Sequence, residues 1–255
     1  MSPTELTIPR QFCGPPDSAN GGWTSGALAQ IVTADRSDGD TPWPTAEVTL
    51  RTPPPLDVPL TAGPAEDGRT LLHRDDMLVA EARLVDDDLA PVDPVDPEQA
   101  RAAMTSYAGL RRHPFPTCFT CGPERAEGDG LRIFPGPVAG TDRVASTWTP
   151  HASTQDEASA TDGIPRAGLP VAWAALDCPG GWATDIDNRP MVLGRITARI
   201  DALPVIGEEH VVVGQVLSAE GRRTTTATTL YDADGRVVGR AQHVWIEIDP
   251  ATFGR

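Results

Sequence analysis

Hydrophobic and β-branched residues alternate with polar ones most regularly near the C-terminal end of the chain. Four runs with this two-residue period follow one another at 191–204, 210–221, 223–235 and 236–249, and Gly, Pro or Asp-Gly turns separate them. The run Asp-Ala-Asp-Gly at 232–235 is typical of a hairpin turn. The pattern therefore predicts an antiparallel meander of four strands, with an apolar face that needs a cover.

That cover is predicted at 168–183, GLPVAWAALDCPGGWA, where apolar residues lie almost all round a helix. Such a helix is buried rather than amphipathic. Pro179 is expected to kink or end it, because proline removes an intrahelical hydrogen bond. Gly180 and Gly181 lack a Cβ, so another backbone or a ligand could approach them closely. The alternative is that this Pro-Gly-Gly run is a plain helix stop.

The same order of elements is predicted twice along the chain. Residues 18–34 read as a helix with Asn20 as its N-cap, and further strands follow it. These N-terminal strands are predicted at 46–53, 57–63, 69–75 and 77–85, and two more strands, ahead of the second helix, at 130–138 and 143–151. The repetition of a helix followed by four strands indicates a tandem duplication.

A linker separates the predicted repeats. The segment 86–97 is acidic and rich in proline, and 97–110 reads as a short helix that crosses between the repeats. We therefore predict a first repeat over 1–90, a linker with a short helix over 91–114, and a second repeat over 115–255. The polar segment 152–168 is predicted to be a loop, either a lid or a mobile insertion.

Composition argues against some classes of binding partner and indicates a cellular compartment. The 255 residues carry a net charge of −15, which argues against binding a nucleic-acid backbone or an anionic membrane. The start of the chain lacks the basic and apolar regions of a signal peptide, and no apolar run is long enough to span a membrane. Four scattered cysteines do not form a disulfide framework, so a reducing cytoplasm is expected.

Three short motifs carry a family resemblance. The stretches CFTCGPERAEGDGLRIFP at 118–135, AALDCPGGWA at 174–183 and NGGWTSGALAQ at 20–30 are similar to those of hotdog-fold acyl-CoA thioesterase-like proteins. The resemblance implies an α+β double hotdog, in which each of two repeats wraps a long antiparallel sheet around a central helix. Two departures stand out: Asn20 replaces a common His, and Gly168-Leu169-Pro170 replaces His-Gly-Gly.

The resemblance also implies a catalytic acid on the second central helix. In hotdog thioesterases the acid follows a polarising backbone amide by about two helical turns, and Asp177 lies eight residues after Leu169. The Leu169 N–H is then the candidate oxyanion donor, and Asp177 the base or nucleophile. Apolar neighbours such as Trp173 should raise the pKa of Asp177. The alternative is that Asp177 faces solvent or caps another element.

The first repeat has Ala29 where the second has Asp177, so it is expected to lack the acid and to have a scaffold or ligand-binding role. One competent site per chain, at the repeat interface, is therefore predicted. The remaining candidate substrate-binding residues, which would supply amides, apolar contact, close approach or phosphate contacts, are Asn20, Gly21, Gly22, Trp173, Gly180, Gly181, Arg222 and Arg223.

Metal and cofactor chemistry is not expected. Cys118 and Cys121 have the spacing of half a zinc site, but no second pair accompanies them, so they are interpreted as small buried thiols. No Gly-rich nucleotide loop and no Gly-x-Ser-x-Gly elbow occurs. Coenzyme A is expected only as part of the substrate.

The predicted function is hydrolysis of an acyl-CoA thioester by a homodimer or higher homo-oligomer. A protein that binds acyl thioesters or acts as a scaffold, without turnover, is the alternative. An enoyl-CoA hydratase or dehydratase ranks last, because no His lies near Asp177 in the sequence.

Overall fold

A single antiparallel sheet of eleven strands, in the order β1-β3-β4-β5-β2-β8-β11-β10-β9-β7-β6, is the main feature of the computed structural model. The structure describes residues 3–34, 43–157, 162–186 and 188–249. The helices are α1 (Gly21–Thr33), α2 (Pro97–Met104) and α3 (Leu169–Trp182). The strands are β1 (Thr4–Thr7), β2 (Ala46–Leu50), β3 (Pro59–Pro64), β4 (Thr70–Arg74), β5 (Met77–Leu84), β6 (Gly136–Pro137), β7 (Arg143–Trp148), β8 (Met191–Ile200), β9 (His210–Glu220), β10 (Arg223–Tyr231) and β11 (Val237–Glu247).

The order of a helix followed by four strands occurs in both halves, with α1 before β2–β5 and α3 before β8–β11. The two halves meet where β2 pairs with β8, with Val48 opposite Ile196. The sheet is therefore continuous from one half to the other. None of the helices in the described part of the chain is long and apolar enough to cross a membrane.

The four C-terminal strands depart from the predicted meander. Strands β9, β10 and β11 do follow one another as neighbours, but β8 lies on the far side of β11, between β11 and β2. A meander would need β8 to pair with β9. The connection from Asp201 to Glu209 instead passes over two intervening strands, a distance of about 14 Å that nine residues span easily.

Two strand predictions at the edges also need correction. The strand predicted at 130–138 shrinks to Gly136–Pro137, because Arg132 adopts a left-handed backbone conformation with φ 54°. The amides of Leu131 and Ile133 bond to the carbonyls of Phe119 and Thr120 instead of to a neighbouring strand. At the other edge, Thr4–Thr7 pairs with β3, although its mostly polar sequence predicts no strand.

The predicted linker packs closely against the protein. The Val92 N–H donates to Thr229 Oγ1, and the Tyr231 hydroxyl donates to the Val92 carbonyl. Val92 and Val95 join α2 in a second apolar cluster, which also contains Val211 and Val213. Since side chains alternate along a strand, α2 and the linker cover the face of the sheet opposite to α1 and α3.

Helices α1 and α3 pack directly on each other in opposite directions. A Cβ placed on Gly22 would lie 2.5 Å from the Asp177 Cβ, and one placed on Gly26 would lie 2.7 Å from the Pro170 Cα. Residues near the start of α1 therefore meet the later part of α3, and residues one turn further along α1 meet its start. This antiparallel contact decides which groups share a site.

Candidate active site

Asp177 is a buried carboxylate at the contact between the two helices. Its side chain lies on α3, and the residue is only 3% exposed. Oδ2 accepts a hydrogen bond from the Gly22 N–H at 2.9 Å and another from Asn20 Nδ2 at 3.1 Å. Oδ1 has no hydrogen-bond partner among the described residues. One oxygen is thus held in place, while the other can accept a bond from water or a ligand.

Asn20 orients this carboxylate as well as capping α1. Its Oδ1 accepts the Trp23 N–H at 2.8 Å, as an N-cap does. Because that oxygen is engaged, the amide group of Asn20 must turn its Nδ2 toward α3. Nδ2 donates to Asp177 Oδ2 and also lies 3.7 Å from the Cys118 sulfur. The sequence predicts the cap, but the bond to Asp177 depends on how the helices pack.

The protonation of Asp177 reflects opposing influences. Burial raises its pKa to about 7, while the hydrogen bond from the Gly22 amide lowers it. The nearby Cys118 raises it further, and the Asn20 amide lowers it. Loss of hydration raises the pKa of this carboxylate more than the two hydrogen-bond donors lower it. This agrees with the expected direction of the shift and does not fit an aspartate that faces solvent.

Asp177 lies on the wall of a cavity of about 300 Å³ between the two halves of the chain. Residues from β2, β8, β11, the end of α3 and the segment 113–121 line it. Its largest apolar lining side chains are Leu50, Phe115, Trp182, Ile186, Met191, Leu193, Trp245 and Ile246. A mostly apolar cleft with a few polar groups is the usual form of a small-molecule site.

The structure separates Leu169 from Asp177, which corrects the pairing inferred from the sequence. Leu169 is the first residue of α3. Asp177 lies eight residues further along, about 12 Å away along the helix axis, and Leu169 does not line the cavity. The amides next to Asp177 come instead from the start of α1. Spacing along one helix suggested the pair, but the antiparallel packing brings the N-terminus of the other helix to the acid.

The other candidate residues form two groups, those at the cavity and those outside its lining. Asn20 and Gly21 line the cavity, and Gly22 reaches Asp177 through its amide. Trp173, Gly180 and Gly181 lie outside the lining: Trp173 packs against Gly26, and the glycines pack against β10 and β11. Arg222 and Arg223 also lie outside it, at the turn between β9 and β10.

The packing of the sheet explains why glycine occupies positions 180 and 181, which the sequence left open. A Cβ on Gly180 would lie 2.6 Å from Thr226 Oγ1, and one on Gly181 would lie 3.0 Å from the Trp245 ring. The sheet, not a ligand, is what approaches these glycines. Helix α3 continues through Pro179 as far as Trp182, so this run is not a plain helix stop.

Sequence reasoning missed several residues that line the cavity. His113, Cys118, Cys121 and Cys178 all lie on its wall with Asp177. Only the Cys-x-x-Cys spacing pointed to two of them. The others come from a loop 64 residues before Asp177 and from the position directly after it, and no local pattern relates such distant positions. The described parts of the 152–168 loop do not line this cavity, and residues 158–161 lie outside the described residues.

Replacing Gly22 with Ala is expected to destabilise the helix contact. The new Cβ would meet the Asp177 Cβ at 2.5 Å and the Trp173 carbonyl oxygen at 2.9 Å, so α1 and α3 must move apart. Overpacking of this kind costs about 1–3 kcal/mol, and the better helix propensity of Ala returns about 1 kcal/mol at most. Urea unfolding measures the change.

The matched control is Gly63→Ala on β3, where an added Cβ meets nothing within 4 Å. We expect this control to change the unfolding free energy by less than about 0.5 kcal/mol. Equal stability of Gly22→Ala and wild type would contradict the close packing described above.

The chain matches known proteins by its fold. No protein-family model matches the chain, and no curated protein matches it. Among solved structures, the tesB protein of Mycobacterium avium subs. paratuberculosis matches with a TM-score of 0.59 at 14% identity, over 97% of this chain and 93% of that one. A Novosphingobium aromaticivorans protein, provisionally assigned as a thioesterase, gives 0.62 at 14% identity, over 97% and 96%.

A third structure bears the fold in its description. It is a conserved protein of unknown function with a hot dog fold from Alicyclobacillus acidocaldarius, and it gives a TM-score of 0.57 at 11% identity, over 97% of this chain and 94% of that one. Identities this low carry the fold alone. The chain therefore has the hotdog fold that it shares with these thioesterase-like proteins, in agreement with its motifs.

Proposed function

We propose that the chain is a thioester hydrolase that acts on an acyl-CoA, with Asp177 as its base or nucleophile. The observation that carries this proposal is the placement of Asp177. Its carboxylate lies in a mostly apolar cavity at the N-terminus of α1, with Oδ2 held by two donors and Oδ1 without a partner among the described residues. A thioester carbonyl needs a base or nucleophile beside it and a donor for its oxygen.

The donor in this proposal is the N-terminus of α1. Gly21 is the first residue of that helix and lines the cavity, and first-turn amides have no acceptor within the helix. The Gly21 N–H, aided by the helix dipole, would stabilise the oxygen as negative charge develops on it. The Gly22 N–H is engaged by Asp177 and positions the carboxylate instead.

Two chemical routes fit this geometry. In the base route, Asp177 takes a proton from water, the resulting hydroxide attacks the carbonyl carbon, the C–S bond breaks, and the proton passes to the sulfur of coenzyme A. In the nucleophile route, the carboxylate attacks the carbonyl carbon and releases coenzyme A, which leaves a mixed anhydride that water then cleaves. Both routes give a carboxylic acid and a free thiol.

The proposal includes a double-hotdog arrangement with one site per chain. Counting from the first residue of each helix, Ala29 matches Asp177, since each lies eight residues after Gly21 or Leu169. The N-terminus of α3 thus has no matching acid on α1. A reducing cytoplasm and a homodimer belong to the same proposal, and neither a nucleic acid nor a membrane is among its partners.

Phosphate contacts of coenzyme A are proposed at Arg51 rather than at Arg222 and Arg223. Arg51 lies on the cavity wall and is paired with Glu81 on one side. The Arg222 guanidinium bonds to the Glu247 carbonyl, away from the cavity lining.

A hydratase remains the weaker candidate, although His113 shares the cavity with Asp177. Both nitrogens of its ring have partners: Nδ1 accepts the Phe115 N–H at 2.9 Å, and Nε2 lies 3.3 Å from the Cys121 sulfur. An imidazole held in this way does not face a substrate as a general acid or base.

The test is a screen of short, branched, aromatic and long acyl-CoAs for release of free thiol. We expect turnover of at least one class, with a rate that depends on Asp177. Absence of turnover for every substrate would contradict the hydrolase. If acyl-CoA then also raised the melting temperature, the protein would be a binding protein, because a ligand that binds only the folded state stabilises it.

A further inference from the structure

We propose that Cys118, Cys121 and Cys178 form a zinc-binding site on the wall of the cavity. These residues are buried, and their sulfur atoms all lie within 4.8 Å of one another. None of the three forms a disulfide. The site goes beyond the proposed hydrolysis, which uses the neighbouring carboxylate, and does not depend on it.

The sulfur spacing suits a tetrahedral metal ion. Zinc holds thiolates at about 2.3 Å in tetrahedral geometry, so two thiolates on one ion lie about 3.8 Å apart. The Cys118 and Cys178 sulfurs are 3.7 Å apart. One edge of the tetrahedron therefore has nearly the length that zinc requires, and the third sulfur needs only a small movement.

The fold holds the two parts of the cluster together. The Cys118–Cys121 turn is closed by the bond from the Gly122 N–H to the Cys118 carbonyl, and the Tyr107 hydroxyl donates to the Cys121 carbonyl. Thr120 Oγ1 donates to the Ala174 carbonyl, which ties this turn to α3. Cys178 lies one turn beyond Ala174, so its sulfur meets the other two.

A neutral donor outside the cluster lies beside one of its sulfurs. The Asn20 side chain places its Nδ2 3.7 Å from the Cys118 sulfur. Such donors would stabilise the single negative charge of three thiolates around a divalent ion.

His113 supports the cluster as a hydrogen-bond donor rather than as a fourth ligand. Its Nδ1 accepts the Phe115 N–H, so the neutral ring carries its proton on Nε2, which lies 3.3 Å from the Cys121 sulfur. To bind zinc through Nε2, the ring would need a lone pair on that nitrogen in place of the proton. The fourth position is therefore left to water or a thiol from the cavity, which all three cysteines line.

Three neighbouring sulfurs favour a metal over a disulfide. A disulfide between Cys118 and Cys178 would leave Cys121 as an unpaired buried thiol beside His113. A metal ion would instead bind all three sulfurs. Thiolate ligands select zinc among the common divalent ions. The sequence has no second Cys-x-x-Cys pair to indicate this site. The third sulfur belongs to Cys178, on a helix 57 residues after Cys121.

The test measures metal content in the reduced 255-residue protein. Elemental analysis is expected to give about one zinc per chain, and cobalt exchanged for zinc is expected to show thiolate-to-cobalt charge-transfer absorption. Cys121→Ser and Cys178→Ser should each lose that band. His113→Phe should keep it but weaken zinc affinity by about 10–100-fold, as loss of a donor to a ligand does.

Cys13→Ser is the matched control. Cys13 is also buried, but its sulfur contacts Arg125 Nη2 and the Thr117 carbonyl, outside the cluster. This variant should keep the cobalt band. Should the serine variants fail to fold, titration of the wild type with a thiol-blocking mercurial remains as a test and should release one zinc per chain.

Three outcomes would overturn the site. They are reduced wild type that takes up neither zinc nor cobalt, folded serine variants that keep the band, or a Cys118–Cys178 disulfide in protein that binds no metal after reduction. None of these readouts uses hydrolysis, so the zinc site and the hydrolase can fail separately.

Discussion

Asp177→Asn is expected to lower kcat for acyl-CoA hydrolysis by about 10²–10⁴-fold, the usual contribution of a positioned base. An amide can neither take a proton from water nor attack the carbonyl carbon. Its shape is that of the carboxylate, and its oxygen can still accept from the Gly22 N–H and Asn20 Nδ2. Thiol release measures the rate, and thermal unfolding measures the fold.

We expect the Asp177→Asn variant to be at least as stable as wild type. Burial disfavours the charged carboxylate, and a neutral amide of the same size removes that cost. The matched control is Asp185→Asn, which changes an exposed aspartate just beyond the end of α3 and should leave both rate and stability unchanged. A folded Asp177→Asn variant with the wild-type rate would show that Asp177 takes no part in hydrolysis.

Trp173→Ala is expected to lower the free energy of unfolding by about 3–5 kcal/mol, the usual cost of removing a buried tryptophan. Trp173 is 2% exposed, and its ring base packs against Gly26 of α1. The cavity it leaves would lie between the two central helices. Urea unfolding, followed by tryptophan fluorescence or circular dichroism, measures the loss.

The same variant tests the original assignment of Trp173 to substrate binding. Because Trp173 does not line the cavity with Asp177, we expect KM to stay within about twofold of wild type in whatever fraction of the variant is folded. Leu217→Ala, at a side chain that is 49% exposed on β9, is the control and should cost less than about 0.5 kcal/mol. A large rise in KM with unchanged stability would place Trp173 in the acyl channel.

Much of the fold was predictable because its signals are local. The runs of β-branched residues in β9 and β10 mark strands whose two faces are covered by different helices. The nearly continuous apolar surface of α3 marks a helix buried between the sheet and α1. These signals depend only on residues that are close together in the sequence. The position of β8 between β11 and β2 depends on distant residues, because packing rather than chain order decides which strands are neighbours in a sheet.

The linker shows what composition does not report about packing. Its aspartates and prolines predict a linker, and Val92 and Val95 within it are buried against the face of the sheet opposite to α1 and α3. Proline removes backbone donors without removing apolar side chains. An irregular, acidic segment can therefore pack by its few valines while its charges face solvent.

The sequence by itself determined the two central helices, most of the strands, the fold family and the one residue out of place, an aspartate within an apolar helix. Only the tertiary structure decided what surrounds that aspartate. It placed the Gly22 amide beside the carboxylate, far from the Leu169 amide, and it brought Cys178 to Cys118 and Cys121. The physical reason is the antiparallel packing of α1 on α3, since spacing along one helix cannot report which end of another helix lies beside it.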